Sequence, residues 1–235
     1  MKKITTLFAG LIALLILPAF TWATVKLPAI FGEHMVLQQR TETPVWGKTD
    51  PGKTVTVSTS WDKKSYSNRA DASGNWKVKV KTPVAGGPYS ITISDGQALK
   101  LNNVLIGEVW ICSGQSNMQM TMRGYRNQPV TGTNEAIAGS ENPNIRFITI
   151  ERKTSLVPLD DFTGKWMECL PQNVADCSAA AWFFGQLVNK ALDVPVGLII
   201  SSWGGTRIEP WITETSLKEF DFVKLPDKNQ TGTIS

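Results

Sequence analysis

Nine residues carry most of the chemistry this sequence can offer: Trp110-Ile-Cys-Ser-Gly-Gln-Ser-Asn-Met118. They close an apolar run from Val104 to Ile111 that only Gly107 and Glu108 interrupt. A serine just past the C-terminal end of a buried strand stands where open α/β sheets gather ligands, and where a nucleophile can be held for attack. Gly114 permits a tight turn, and the polar Gln115 and Asn117 flank the Ser116 hydroxyl. Met118 stands where a Gly-x-Ser-x-Gly elbow would need its last glycine. These residues alone therefore read two ways, as a nucleophile turn or as a polar loop after a strand.

A second turn bears on the choice. Gly204-Gly205-Thr206 follows another apolar run, Pro195 to Ile200, and a parallel sheet would bring it to the same edge as Ser116. There a glycine of this turn can point its backbone N–H into the site and, with the Ser116 amide, form an oxyanion hole, the device that stabilises the tetrahedral intermediate of acyl transfer. The alternative is a turn that only joins strand to helix. Arg207, Glu209 and Trp211 come next. Glu209 can meet a substrate hydroxyl, or favour the positive end of a following helix. Trp203 and Trp211 can bracket a sugar or pack in a core.

A serine nucleophile needs a base, and the sequence holds one histidine, His34, far upstream. To serve Ser116 its ring must come within about 3 Å; an edge or packing role fits its position better. Of the three cysteines, Cys112 lies inside the run before Ser116 and reads as a buried thiol. Cys169 and Cys177 flank an expected helix start and could close a small disulfide loop. No spacing resembles a zinc site.

The elements that must position these groups fall into two regions. Residues 24–103 read as all-β: Val55-Thr-Val-Ser58, Trp76-Lys-Val-Lys-Val80 and Tyr89-Ser-Ile-Thr-Ile93 alternate apolar and polar. Pro51-Gly52, Asp71-Ala-Ser-Gly-Asn75, Gly86-Gly87-Pro88 and Asp95-Gly96 supply turns between them. This spacing predicts a small β-sandwich as an accessory domain. From Val104 the pattern changes. Strands are expected at 104–111, 144–150 and 195–200, and a helix over 174–192. That helix would turn Ala180, Phe183, Phe184, Leu187, Val188 and Ala191 inward, with Asp176 in its first turn. Strand, strand, helix, strand predicts an α/β domain with a parallel sheet over 104–235. Three strands are few for such a sheet, so the domain is expected to be truncated.

The first 23 residues read as a cleavable leader. Lys2 and Lys3 precede an apolar stretch, Leu7 to Leu17, and Thr21-Trp-Ala23 offers a cleavage site after Ala23. The stretch is short for a membrane span, so a secreted or periplasmic protein without a stable membrane anchor is expected. Losing two leader lysines lowers the formal charge from +4 to +2. That balance, with no long basic run, argues against a nucleic-acid partner. Nine tryptophans fit either a core or platforms for sugar rings.

Ile111-Cys-Ser-Gly-Gln-Ser-Asn-Met118 resembles the nucleophile block of the sialate O-acetylesterase family, within the SGNH hydrolase group. Phe31-Gly-Glu-His-Met-Val-Leu-Gln38 and Pro44-Val-Trp-Gly47 resemble the family's opening. Val174-Ala-Asp-Cys-Ser-Ala179 with Phe183-Phe-Gly185 resembles its mid-domain helix, and Gly197 to Trp211 its second catalytic block. The resemblance implies an SGNH-hydrolase-like domain, and Ser116 as nucleophile with oxyanion donors at Ser116 and Gly205. Gln115, Asn117, Arg207 and Glu209 would lie toward the substrate. It implies hydrolysis of acetyl esters on sugars, sialic acids first and hemicellulose second, without metal or organic cofactor. The family also carries a Gln-Gly-Glu type block and a late Asp/His pair, and neither follows Trp211 here. The expectation is an N-terminal portion that is poorly active alone. Its base would come from a missing C-terminal half, and a catalytically dead sugar binder is the alternative.

Overall fold

The computed structural model describes residues 25–155 and 157–223. The leader expected over residues 1–23 lies outside them, as does most of the polar stretch after Asp221. The β-rich region contributes β1 (Val36–Gln38), β2 (Glu42–Lys48), β3 (Thr54–Thr59), β4 (Ser65–Arg69), β5 (Asn75–Lys81) and β6 (Gly86–Ser94), and leads into a long β7 (Ala98–Gly114). The three alternating segments of the sequence are β3, β5 and β6. In β5 each inward residue is buried and each outward one exposed. β2 and β5 pair antiparallel as a two-stranded sheet. Their Val45, Trp76, Val78 and Val80 share a core with Val55, Val57, Ile91 and Ile93 of β3 and β6. The Asp71 turn closes as its composition requires. The carboxylate accepts N–H groups of Ser73 and Asn75, each at 2.8 Å. Gly74, at φ +78°, lies so close to the Thr49 carbonyl that any Cβ would stand 2.2 Å from its oxygen.

The rest of the chain adds α1 (Ser116–Gln119), α2 (Thr133–Ala138), β8 (Asn142–Thr149), β9 (Trp166–Cys169), α3 (Pro171–Val174), α4 (Ala179–Leu192) and β10 (Val196–Ser202). A 3₁₀ turn (Glu209–Trp211) and α5 (Glu214–Leu217) follow. Strand order is β4-β3-β6-β7-β10-β8-β9, with β1 beside β7. β7, β10 and β8 run parallel, in register from Glu108↔Val196 to Gly114↔Ser202 and from Val196↔Ile145 to Ile200↔Thr149.

Four expectations need correction. The sheet is mixed, not purely parallel, because β9 pairs antiparallel with β8. The boundary expected at 103/104 falls inside β7, whose first half pairs with β6 and second half with β10. The two regions thus share a strand. Gly107 marks the passage, since a Cβ there would stand 1.9 Å from the Pro195 carbonyl oxygen. The long helix begins at Ala179, not Val174: Ser178 caps it by accepting the Ala181 N–H at 3.2 Å, while Asp176 lies before the cap and pairs with Arg123 at 2.8 Å. Finally, α4 buries a different face from the one expected. Ala181, Trp182 and Gly185 face the sheet, with Gly185 admitting Leu198, whereas Phe183, Phe184 and Leu187 face outward.

Candidate functional site

The edge where β7 and β10 end together gathers the sequence-marked residues. Gly114 takes φ +149°, open to glycine, and turns the chain from strand into α1. Ser116 is therefore the first residue of a four-residue helix, exposed, and its N–H has no intrahelical acceptor. Pairing of the two strands continues into the second turn, where the Trp203 N–H donates to the Gly114 carbonyl at 3.0 Å.

Side chains then clasp the two turns together. The Gly204 N–H donates to the Gln119 Oε1, and the Gln115 Nε2 donates to the Thr206 carbonyl at 2.5 Å. Thr206 Oγ1 donates to the Trp203 carbonyl at 2.8 Å and accepts the Trp211 indole N–H at 2.9 Å. The approach is close enough that a methyl group on Gly204 would stand 3.3 Å from the Ser116 Oγ. Gly204, not Gly205, is thus the glycine that faces the serine. Its amide is already used by Gln119. Gly205 has φ +77°, faces open space, and its N–H bonds to no described residue.

The other marked residues divide. Gln115 acts as a clamp on the second turn. Asn117 and Arg207 are exposed, and neither bonds to a described residue. Glu209 opens the 3₁₀ turn, whose following Ile212 N–H it accepts at 3.1 Å through its carbonyl. Gln119 was not singled out by sequence; its position three residues after Ser116, on the same face of a helical turn, was the available signal. The Ser116 helix is also anchored from behind, where Ser178 Oγ donates to the Met118 sulfur at 3.4 Å and the Ala179 N–H to the Met120 carbonyl at 2.8 Å.

His34 is elsewhere. Its Nδ1 lies 2.8 Å from the Asn103 amide nitrogen and 3.5 Å from Glu168. Asn103 lies within β7, eleven residues before Gly114, and at about 3.3 Å per residue the strand between them is on the order of 35 Å long. The imidazole therefore cannot take a proton from Ser116. It belongs to a polar cluster in which Glu168 pairs with the buried Arg146 at 3.1 Å and accepts from Asn103 at 3.2 Å.

The cysteines are all free and buried, so the Cys169–Cys177 bridge does not form. Burial pushes the Cys169 thiol up to about 12 and raises Cys112 and Cys177 as well. None is a poised thiolate. A cavity of about 410 Å³ lies beside the end of β8, lined by Ile30, Trp46, Ile150, Lys153 and Phe162 among others, and includes neither turn.

Residues 106–229, just over half the chain, match the family model described as carbohydrate esterase, sialic acid-specific acetylesterase. The human sialate O-acetylesterase is 31% identical over 95% of this chain and 47% of its own length. The mouse sialate O-acetylesterase is 32% identical over 79% of this chain and 37% of its own. Among solved structures, a carbohydrate acetylesterase from Xanthomonas citri superposes with a TM-score of 0.78 at 32% identity, covering 83% of this chain and 44% of that one. The chain thus spans less than half the length of the curated relatives it matches.

Proposed function

Since this chain belongs to the sialic acid-specific acetylesterase family of carbohydrate esterases, we propose that it serves the hydrolysis of O-acetyl esters on sugars, with Ser116 as nucleophile. The observation that carries this reading is the approach of the Gly204-Gly205 turn to the Ser116 hydroxyl at the C-terminal edge of parallel strands. Attack by the Ser116 Oγ on the acetyl carbonyl forms a tetrahedral oxyanion, for which the Ser116 and Gly205 N–H groups are the donors. Its collapse releases the sugar hydroxyl and leaves acetyl-serine, and water then restores the serine and frees acetate. Gln119 and Gln115 position the second turn against the first. Asn117, Arg207 and Glu209 lie toward the sugar.

The proton of Ser116 must go to a base, and His34 is out of reach. We place that base, and the rest of the oxyanion hole, on polypeptide beyond these 235 residues. Loss of a triad serine or histidine costs about 10⁶-fold in kcat in subtilisin, and binding with an oxyanion hole alone retains roughly 10³–10⁴ over water. The 235 residues alone should work near that floor. O-acetylated sialic acids are the first substrate class, supported by the family, and acetylated hemicellulose the second. The leader-like residues 1–23 support a secreted or periplasmic location.

The test compares acetate release from p-nitrophenyl acetate and from an O-acetylated sialic acid, for the parent and its Ser116→Ala variant. A rate that the substitution abolishes supports the reading. Equal rates, with sugar binding retained in both, would instead make the protein a carbohydrate binder.

A further inference from the structure

Resting on the esterase reading, we propose that Tyr125 and Trp211 are the aromatic walls of a sugar subsite at Ser116. An O-acetylated sugar lays its C–H faces against these two rings.

Ring contacts single the pair out. Trp110 and Phe184 are exposed but meet edge-on at 5.1 Å, Phe183 packs on Trp182 at 5.1 Å, and Phe220 on Phe222 at 5.8 Å. Tyr125 is 42% exposed and Trp211 38% exposed, and neither has a ring partner among the described residues. Trp203, which the sequence offered as a bracket with Trp211, is partly buried.

Each ring is tied by its polar tip to a different turn of the site. The Tyr125 hydroxyl donates to the Gln119 carbonyl at 3.0 Å. That carbonyl lies three residues after Ser116, about 4.5 Å along the helix axis. The Trp211 indole N–H donates to Thr206 Oγ1 at 2.9 Å, one residue past Gly205. The two turns are themselves joined, Gln119 to Gly204 and Gln115 to Thr206. Both rings are therefore held in place relative to the serine.

The backbone under each ring is also fixed. Tyr125 and Gln128 exchange backbone bonds at 3.1 and 2.9 Å, and the N–H groups of Met122 and Arg123 donate to the carbonyls of Cys177 and Ala175 at 2.9 and 3.1 Å. Gly124, at φ +70°, passes so near Gln128 that a Cβ would stand 2.5 Å from its carbonyl oxygen. Trp211 closes the 3₁₀ turn, its N–H donating to the Ile208 carbonyl at 3.0 Å. Rings ordered in advance lose little freedom when a ligand covers them.

The class of ligand follows from what the rings and their neighbours lack. An aromatic ring with a satisfied polar tip and a bare face gains by covering that face with apolar surface. Beside these rings, Asn117, Arg126 and Arg207 are exposed and bond to no described residue. A sugar ring answers both conditions, with C–H faces for the aromatics and a rim of hydroxyls for the polar groups. A plain acyl chain would make no use of those donors.

The test titrates an O-acetylated sialic acid, and separately acetylated xylobiose, into the Ser116→Ala protein, and follows the tryptophan indole N–H signals by NMR. The Trp211 signal, identified by its loss in Trp211→Phe, should shift saturably with at least one of the two sugars, while that of Trp110 stays in place. Tyr125→Ala and Trp211→Ala should each weaken binding at least about tenfold. Tyr125→Phe keeps the ring without its tie and should bind within about threefold of the Ser116→Ala parent; Trp211→Phe should bind more tightly than Trp211→Ala. No saturable shift with either sugar would overturn the proposal. So would binding lost equally in Tyr125→Phe and Tyr125→Ala, or binding indifferent to both alanine substitutions. Ring-dependent sugar binding, in a protein whose Ser116 never takes up acetyl, defeats the esterase reading and leaves the subsite standing. Acetyl on Ser116 without ring-dependent binding does the reverse.

Discussion

Adjacent glycines in the second turn should respond oppositely to one added methyl group. At Gly204 a Cβ would stand 3.3 Å from both the Cα and the Oγ of Ser116, and 2.9 Å from Gln119 Oε1. Ordinary contact needs a few tenths of an ångström more, and the backbone at Ser116 cannot swing aside as a long side chain can. A misplacement of about 1 Å at a reacting group costs roughly 100-fold, so the smaller shift in Gly204→Ala should slow the Ser116-dependent reaction roughly tenfold, about 1.4 kcal/mol of barrier. At Gly205 the same methyl meets nothing within 4 Å, but the backbone sits at φ +77°. An L-residue there costs about 1–2 kcal/mol of stability, with no crowding of the serine. The assay is p-nitrophenyl acetate hydrolysis, corrected by subtracting the Ser116→Ala rate, beside urea unfolding of each variant. The activated leaving group asks little of an acid–base partner, so the serine's placement governs the rate. A Gly205→Ala that slows the reaction more than Gly204→Ala, at equal stability, would refute the assignment of Gly204 as the residue packed on Ser116.

Three further outcomes follow from packing and charge. Glu168→Leu should cost about 3 kcal/mol in urea unfolding, because it strands the guanidinium of Arg146, 2% exposed, without its partner. Arg146→Met should cost less than about 1 kcal/mol, since Glu168 is partly exposed and can turn to water; the reverse order would contradict this account of the cluster. Ser178→Ala should lower stability by about 1 kcal/mol through loss of the α4 cap, measured by thermal unfolding. The buried thiols give a pH dependence whose sign is fixed. Cys169 and Cys177 have native pKa values above the ordinary 9.0, so the unfolded state loses their protons first. Stability from this source is therefore fully present below about pH 9. It should fall between pH 9 and about 12, by up to about 1.4 kcal/mol per pH unit for each thiol. In the native protein at neutral pH, Ellman's reagent should find all three cysteines unreactive, and unfolding should release them.

What the sequence made legible was set by how local the signal was. β3, β5 and β6 alternate strictly, and Gly114 after an apolar run marked the Ser116 turn from a dozen residues. β9 escaped because Trp166-Met-Glu-Cys169 is four residues with no alternation, paired only through its neighbour β8. Asn102-Asn103 reads as a break, yet β7 passes through it with Asn103 at φ +52°, a conformation asparagine tolerates. The face of α4 was misjudged for a general reason: the large apolar residues mark a stripe, but the face that meets the sheet is set by small ones, Ala181 and Gly185, the latter admitting Leu198. Gln119 and Gly204 are 85 residues apart in sequence, so their bond left no local trace.

The central claim, that Ser116 is an acyl-accepting nucleophile, is tested most directly by mapping the acetyl group after brief exposure to p-nitrophenyl acetate. On the proposal that the base lies outside these 235 residues, deacylation is slow as well, so the acetyl-enzyme should accumulate. Peptide mass mapping should then find acetyl on Ser116, and none on that peptide in Ser116→Ala. Acetylation confined to lysines and identical in both proteins would contradict the claim.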